Sequence, residues 1–135
     1  MQKINVLLLL TPKIELACLS EEMNVRQALE KMKAHGYMAI PVISKAGEYL
    51  GTITEGDLLW CIIDEDYDEE GLEEINIKSL IRKDYTKSVK VDASNEELIS
   101  MITEQNFVPV IDDRNILMGI VTRKKVLKAL FDNEV

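Results

Sequence analysis

Apolar residues fall at Val25, Ala28, Leu29 and Met32, the spacing that lines one face of a helix, and the pattern returns 70 positions later at Asn95, Leu98, Ile99 and Ile102. After each helical stretch the period shortens. The segments YMAIPVISKAGEYLGTITEGDLL and NFVPVIDDRNILMGIVTRKKVL each hold two short apolar runs and then a second helical pattern. They align so that Pro41, Gly51, Thr54 and Leu59 lie 68 positions before Pro109, Gly119, Thr122 and Leu127. The second copy is thus two residues shorter just before its Pro-Val. Each copy predicts helix, strand, turn, strand, helix. Lys45-Ala46-Gly47 and Asp112-Asp113-Arg114-Asn115 supply the turns. Asn24 and Ser94 stand at N-cap positions, and Ser94 with Glu97 has the spacing of a capping box.

The repeats divide the chain into residues 1–63, an acidic linker at 64–74 and residues 75–135. The linker, DEDYDEEGLEE, lacks the Gly and Glu positions of a calcium loop and reads as a solvated stretch. INVLLLL, residues 4–10, is too short to span a bilayer, which takes roughly 20 apolar residues, and reads as a buried leading segment.

Of 135 residues, 47% are hydrophobic and 30% charged, enough apolar side chain for one folded body and enough charge to keep it in water. The net charge of −8 argues against non-specific nucleic-acid or anionic-membrane binding. Any anion site must be local. Cys18 and Cys61 have no C-x-x-C spacing and read as small hydrophobes, and no signal-peptide pattern is present, so a cytoplasmic protein is expected. One His and two distant Cys make no usual zinc set. His35 falls at a helix tail, where capping or exposure is expected. No Ser-His-Asp, Cys-His or Gly-rich phosphate-loop arrangement appears, so no enzyme is expected.

One local charge pattern is unusual. GIVTRKKVL, residues 119–127, reads as a strand turning into a helix whose first turn carries Arg123, Lys124 and Lys125. A helix N-terminus already bears unpaired N–H groups and about half a positive charge, so cations there should repel. A phosphate from a ligand would answer both features, and so, more blandly, would side chains reaching to the acidic surface.

The strands AIPVI and VPVID, followed by GTITEGDLL and GIVTRKKVL, resemble a tandem pair of cystathionine-β-synthase (CBS) domains, over about residues 7–130. The resemblance implies an α/β (α+β) fold of two pseudo-twofold related β-α-β-β-α repeats, packed as a Bateman module with nucleotide clefts between the repeats. Such modules usually pair as homodimers. GYMAIPVI, NFVPVIDDRN and GIVTRKKVLKAL are most similar to small stand-alone CBS pairs of Gram-positive bacteria that bind cyclic di-AMP.

From this resemblance a dinucleotide cleft is expected to combine the segment Glu15 to Cys18, chiefly Leu16 and Ala17, with Tyr37, Met38, Ala39 and Pro41 and with Thr122, Arg123 and Lys124. Lys124 stands where the family often has a second Arg, keeping the charge and losing the bidentate fork. A second cleft is expected at Thr54, Asp57, Thr86, Phe107, Val108 and Pro109. There the Thr hydroxyl would meet phosphate or ribose and the Asp carboxylate would accept both ribose hydroxyls, although Thr-x-x-Asp at a strand-to-helix junction equally approximates a capping box. Lys125 replaces that acid in the second repeat.

Met38 suits either the base wall or the core, Phe107 favours the core, and Trp60 suits the core or an interface. The implied function is a regulatory adenine-nucleotide sensor, for cyclic di-AMP or else AMP, ADP or ATP, acting on a separate target protein. A scaffold with vestigial clefts is the alternative.

Overall fold

A computed structural model describes residues 5–65, 69–82 and 85–132. They form two compact units whose described residues fall within Ala17–Tyr85 and within Met1–Leu16 plus Thr86–Val135. The units thus cut across the sequence repeats. The leading segment belongs with the second repeat, and the segment up to Tyr85 belongs with the first.

The contiguous unit runs β2 (Leu19–Ser20), α2 (Val25–His35), β3 (Ala39–Ile43), β4 (Tyr49–Thr54), α3 (Glu55–Glu65), α4 (Glu69–Glu73) and a 3-10 turn at Ile77–Leu80. Its sheet order is β2-β3-β4, with β2 parallel and β4 antiparallel to β3. Asn24 starts α2 with a reciprocal box: its side chain accepts from the Gln27 N–H at 2.9 Å, and its own N–H donates to Gln27 Oε1 at 3.0 Å. Gly36 ends the helix at φ 66°, where a Cβ would be strained. The predicted face holds, with Val25, Ala28 and Met32 buried against Leu19, Ile40, Val42, Ile53 and Leu58.

The acidic stretch at 64–74 departs from a solvated linker. Residues 69–73 are helical and Leu72 is buried in the core, because one apolar side chain among carboxylates suffices to dock a turn of helix onto α2. Arg26 of α2 bonds Glu73 across this contact. Residues 66–68 lie outside the described set. Tyr49 is buried in this unit with its hydroxyl 2.8 Å from Thr52 Oγ1. Burial pushes its phenol up to about 12, against the smaller opposing effect of that hydrogen bond.

The second unit carries α1 (Val6–Leu9), β1 (Thr11–Pro12), a 3-10 turn at Lys13–Glu15, then β5 (Val89–Lys90), α5 (Asn95–Glu104), β6 (Phe107–Ile111), β7 (Leu117–Thr122) and α6 (Arg123–Asp132). Its sheet order is β1-β7-β6-β5. The repeat's β-α-β-β-α pattern recurs as β5-α5-β6-β7-α6, around Val89, Leu98, Ile102, Val108, Val110, Val121 and Val126. Ser94 caps α5, accepting from the Glu97 N–H at 3.1 Å. The leading segment is only partly inside: Val6 is buried, whereas Leu7 and Leu8 are 55% and 84% exposed, because one turn of helix turns a single face inward.

Two glycines explain the exchange of leading segments. An ideal Cβ on Gly119 would stand 2.1 Å from the Thr11 carbonyl oxygen, since β1 crosses β7 there with Pro12 opposite Gly119. In the other unit a Cβ on Gly51 would stand 2.3 Å from Ile81 Cγ2. Thr11 and Ile81 are 70 residues apart, the same offset that relates the amphipathic helices. Each repeat therefore keeps a bare backbone where an incoming segment lies across its hairpin.

Candidate functional site

Each hairpin delivers its second strand straight into a helix, and the two corners are built alike at first. The Glu55 N–H donates to the Met38 carbonyl at 2.9 Å, and the Arg123 N–H to the Asn106 carbonyl at 2.8 Å. One otherwise unpaired N–H of each helix start is thereby satisfied by the residue just before the hairpin's first strand.

At the first corner Thr54 and Asp57 form a reciprocal box. The Thr54 N–H donates to Asp57 Oδ2 at 2.9 Å, and the Asp57 N–H donates to Thr54 Oγ1 at 3.1 Å. The capping geometry is thus met in full. The other carboxylate oxygen, Oδ1, takes the Arg82 Nε at 2.9 Å. Arg82 lies over the Tyr85 ring, its guanidinium carbon 3.4 Å from the ring centroid. The Asp57 side chain is left 10% exposed.

The second corner spends its cations differently. Lys125 donates its N–H to Thr122 Oγ1 at 3.2 Å, the half of the box that survives loss of the acid, and its ammonium reaches Thr11 Oγ1 at 2.7 Å. Arg123 turns back along the unit: Nε donates to the Ile102 carbonyl at 2.7 Å and Nη1 to Asn106 Oδ1 at 2.9 Å. Ile102 is in the last turn of α5, which has no basic residue of its own. Arg123 therefore lends its charge to the negative end of α5, and among the described residues no acidic side chain pairs with it. Three of its five N–H donors remain. Lys124 is exposed.

The other expected residues divide between the units. Leu16 is half-buried in the discontinuous unit, while Ala17, Tyr37, Met38, Ala39 and Pro41 belong to the contiguous one. Ala17 and Pro41 are buried, Ala39 is half-buried, and Met38 is 71% exposed, which removes it from the core. Tyr37 stacks on His35 at 5.6 Å and lines a cavity of about 700 Å³ between α2 and α3 with Leu59 and Ile62. Thr54 and Asp57 do not line that cavity. Val108 and Pro109 are buried in β6, Phe107 and Thr86 half-buried. Trp60 is 61% exposed and so does not serve the core. Cys61 is buried, whereas Cys18 is only half so.

These paired corners, each a strand with Gly at its third position and Thr at its end where a helix starts, point to the architecture. CBS domain models match residues 10–64 and 77–132. The chain belongs to the CBS domain family. A CBS domain protein from Streptococcus pneumoniae is 28% identical, with a TM-score of 0.86 over 93% of this chain and 85% of that one. The Listeria monocytogenes CbpB protein, solved in complex with c-di-AMP, shares the fold at 24% identity, with a TM-score of 0.86 over 96% of this chain and 97% of that one. An uncharacterised Methanopyrus kandleri protein is 24% identical over 100 residues, 73% of this chain. The chain spans about half the length of that curated relative.

Within this CBS pair Arg82 and Tyr85 went unmarked in the sequence. No local signal marks them, since Arg82 meets Asp57 from 25 residues away in the chain. Among the described residues no three His, Cys, Asp or Glu side chains gather as a metal set, and no helix is long and apolar enough to cross a membrane.

Proposed function

We propose that this CBS pair is a regulatory module that binds an adenine nucleotide, cyclic di-AMP foremost, and signals its occupancy to a separate target protein. The observation that carries the reading is the second corner. Arg123 is held in place by the Ile102 carbonyl and Asn106 Oδ1, keeps three donors, and stands beside exposed Lys124 on a helix turn without an acid. Such a guanidinium is oriented before any anion arrives, so little side-chain entropy is lost on capture. In a chain of net charge −8 this is a local anion receptor. The CbpB complex with c-di-AMP, on the same fold, names the nucleotide to try first.

A second reading concerns the first corner. The fixed carboxylate of Asp57 suits the adjacent hydroxyls of an unesterified ribose, as in AMP, ADP or ATP. No catalytic role is assigned to either corner. A homodimer is part of the proposal, since Leu59, Trp60 and Ile63 leave more than half of their surface exposed on α3.

Calorimetric titration of cyclic di-AMP, AMP, ADP and ATP into the purified protein tests this reading. Saturable binding of cyclic di-AMP is expected, weakened about 10–100-fold in Arg123→Ala by loss of charged hydrogen bonds worth roughly 1.5–3 kcal/mol. Absence of binding by every nucleotide overturns the sensor and leaves a scaffold.

A further inference from the structure

Asp57 is a carboxylate with one committed and one exchangeable oxygen. Oδ2 accepts from the Thr54 N–H as part of the helix cap, and its departure would undo that half of the box. Oδ1 is taken by Arg82, whose side chain is 46% exposed and rests on an exposed tyrosine ring. The pair is thus asymmetric: its anion is 10% exposed and tied into the helix cap, its cation 46% exposed and stacked on Tyr85.

To reach a carboxylate that is only 10% exposed, a ligand that donates hydroxyls must move Arg82 aside. A neutral polyol would offer the guanidinium no anion in exchange for its carboxylate. A ligand that also carries phosphate gives the guanidinium a new bidentate partner while the carboxylate takes the hydroxyls. Both charges stay paired.

We infer that Arg82 is a specificity-determining latch, closed on Asp57 in the free protein, which admits sugar phosphates such as nucleoside monophosphates and turns away the corresponding nucleosides. The inference rests on the reading of the first corner as a ribose site and names what that site demands of its ligand. The cyclic linkage of a cyclic dinucleotide, with its 3′ oxygens esterified, offers Asp57 no adjacent hydroxyl pair, so the carboxylate disfavours such ligands at this corner even though they carry phosphate. Tyr85 keeps the displaced guanidinium nearby by holding its flat face.

Titration of AMP and of adenosine into the wild-type protein and into Arg82→Ala, Arg82→Lys and Asp57→Asn reads this directly. The wild type is expected to favour AMP over adenosine by about 10-fold or more, one lost charge-assisted contact. In Arg82→Ala adenosine should gain and AMP lose, bringing the two within about 2-fold of each other, while Arg82→Lys, which keeps charge without the fork, falls between. Asp57→Asn should weaken both. Arg82 is a surface residue, and thermal melting will verify that its variants fold. An unchanged AMP-to-adenosine ratio in Arg82→Ala overturns the latch and leaves the ribose site standing. AMP binding that ignores Asp57→Asn, or no binding of either ligand by any variant, removes the ribose site and the latch with it.

Discussion

Replacing Gly51 by Ala tests the crossing of segments in the contiguous unit. The added Cβ would stand 2.3 Å from Ile81 Cγ2 and 3.6 Å from Ile81 Cβ, where ordinary carbon contacts are about 3.5–4.0 Å. Gly51 also sits at φ 153°, which side chains rarely adopt. Overpacking costs about 1–3 kcal/mol and the backbone strain about 1 kcal/mol more, so Gly51→Ala should destabilise by roughly 2–4 kcal/mol. Ile81→Ala alone empties a half-buried site and should cost about 1–2 kcal/mol, below the range for a full core truncation. The clash cannot survive in the double variant. Its destabilisation should fall short of the sum by about 1–3 kcal/mol, the overpacking term, and retain the backbone strain and the Ile81 truncation. Urea denaturation followed by the fluorescence of Trp60, the one tryptophan and a member of the same unit, measures all four corners of the cycle. Additivity within about 0.5 kcal/mol would refute the proposed contact.

Gly119→Ala should be less forgiving, since its Cβ meets the backbone oxygen of Thr11 and no side-chain truncation relieves it. Loss of β1 pairing should appear as faster hydrogen exchange in β1 and β7 together with a drop of about 2–4 kcal/mol, and retained protection there would contradict the geometry. Tyr49 sets an alkaline limit: its folded value of about 12 lies above the unfolded value near 10, so its share of stability is complete below pH 10 and is lost as pH rises to 12, about 2–3 kcal/mol in all. Tyr49→Phe should flatten the denaturation midpoint across that window, and an unaltered slope would disprove it. Asp112 acts at the other end. Hydrogen bonds from the Ile116 N–H and then from Arg114, set against some burial, hold its carboxyl below the usual range, so its contribution is present above the unfolded value near 3.9 and disappears as pH falls through the lower folded value. Asp112→Asn should shallow the acid limb of a stability-against-pH curve, and a superimposable limb would refute it.

Both repeats were legible in the sequence because local chemistry agrees with the fold. The helical faces at Val25 and Leu98, the cap at Asn24 and the turn positions Gly47 and Asn115, both at positive φ, follow from spacing and side-chain type alone. The Thr54-x-x-Asp57 box was readable for the same reason. What escaped depends on partners remote in sequence. Nothing near Arg123 announces that its charge belongs to the end of α5, 21 residues back, and nothing near Asp57 announces Arg82. Leu72 was hidden by its neighbours, as one apolar residue among carboxylates carries no periodic signal.

The pairing of Thr11 with Ile120 has a consequence for biosynthesis. Ala17–Tyr85 can assemble as it leaves the ribosome, but the stretch around Val6 has no sheet to join until β7 emerges. At roughly 5–20 residues per second that delay lasts about 5–20 s. Throughout it Val6, Leu9 and Leu10 stay bare on the nascent polypeptide, a natural foothold for a chaperone and the stage at which a slowed translation would do most harm.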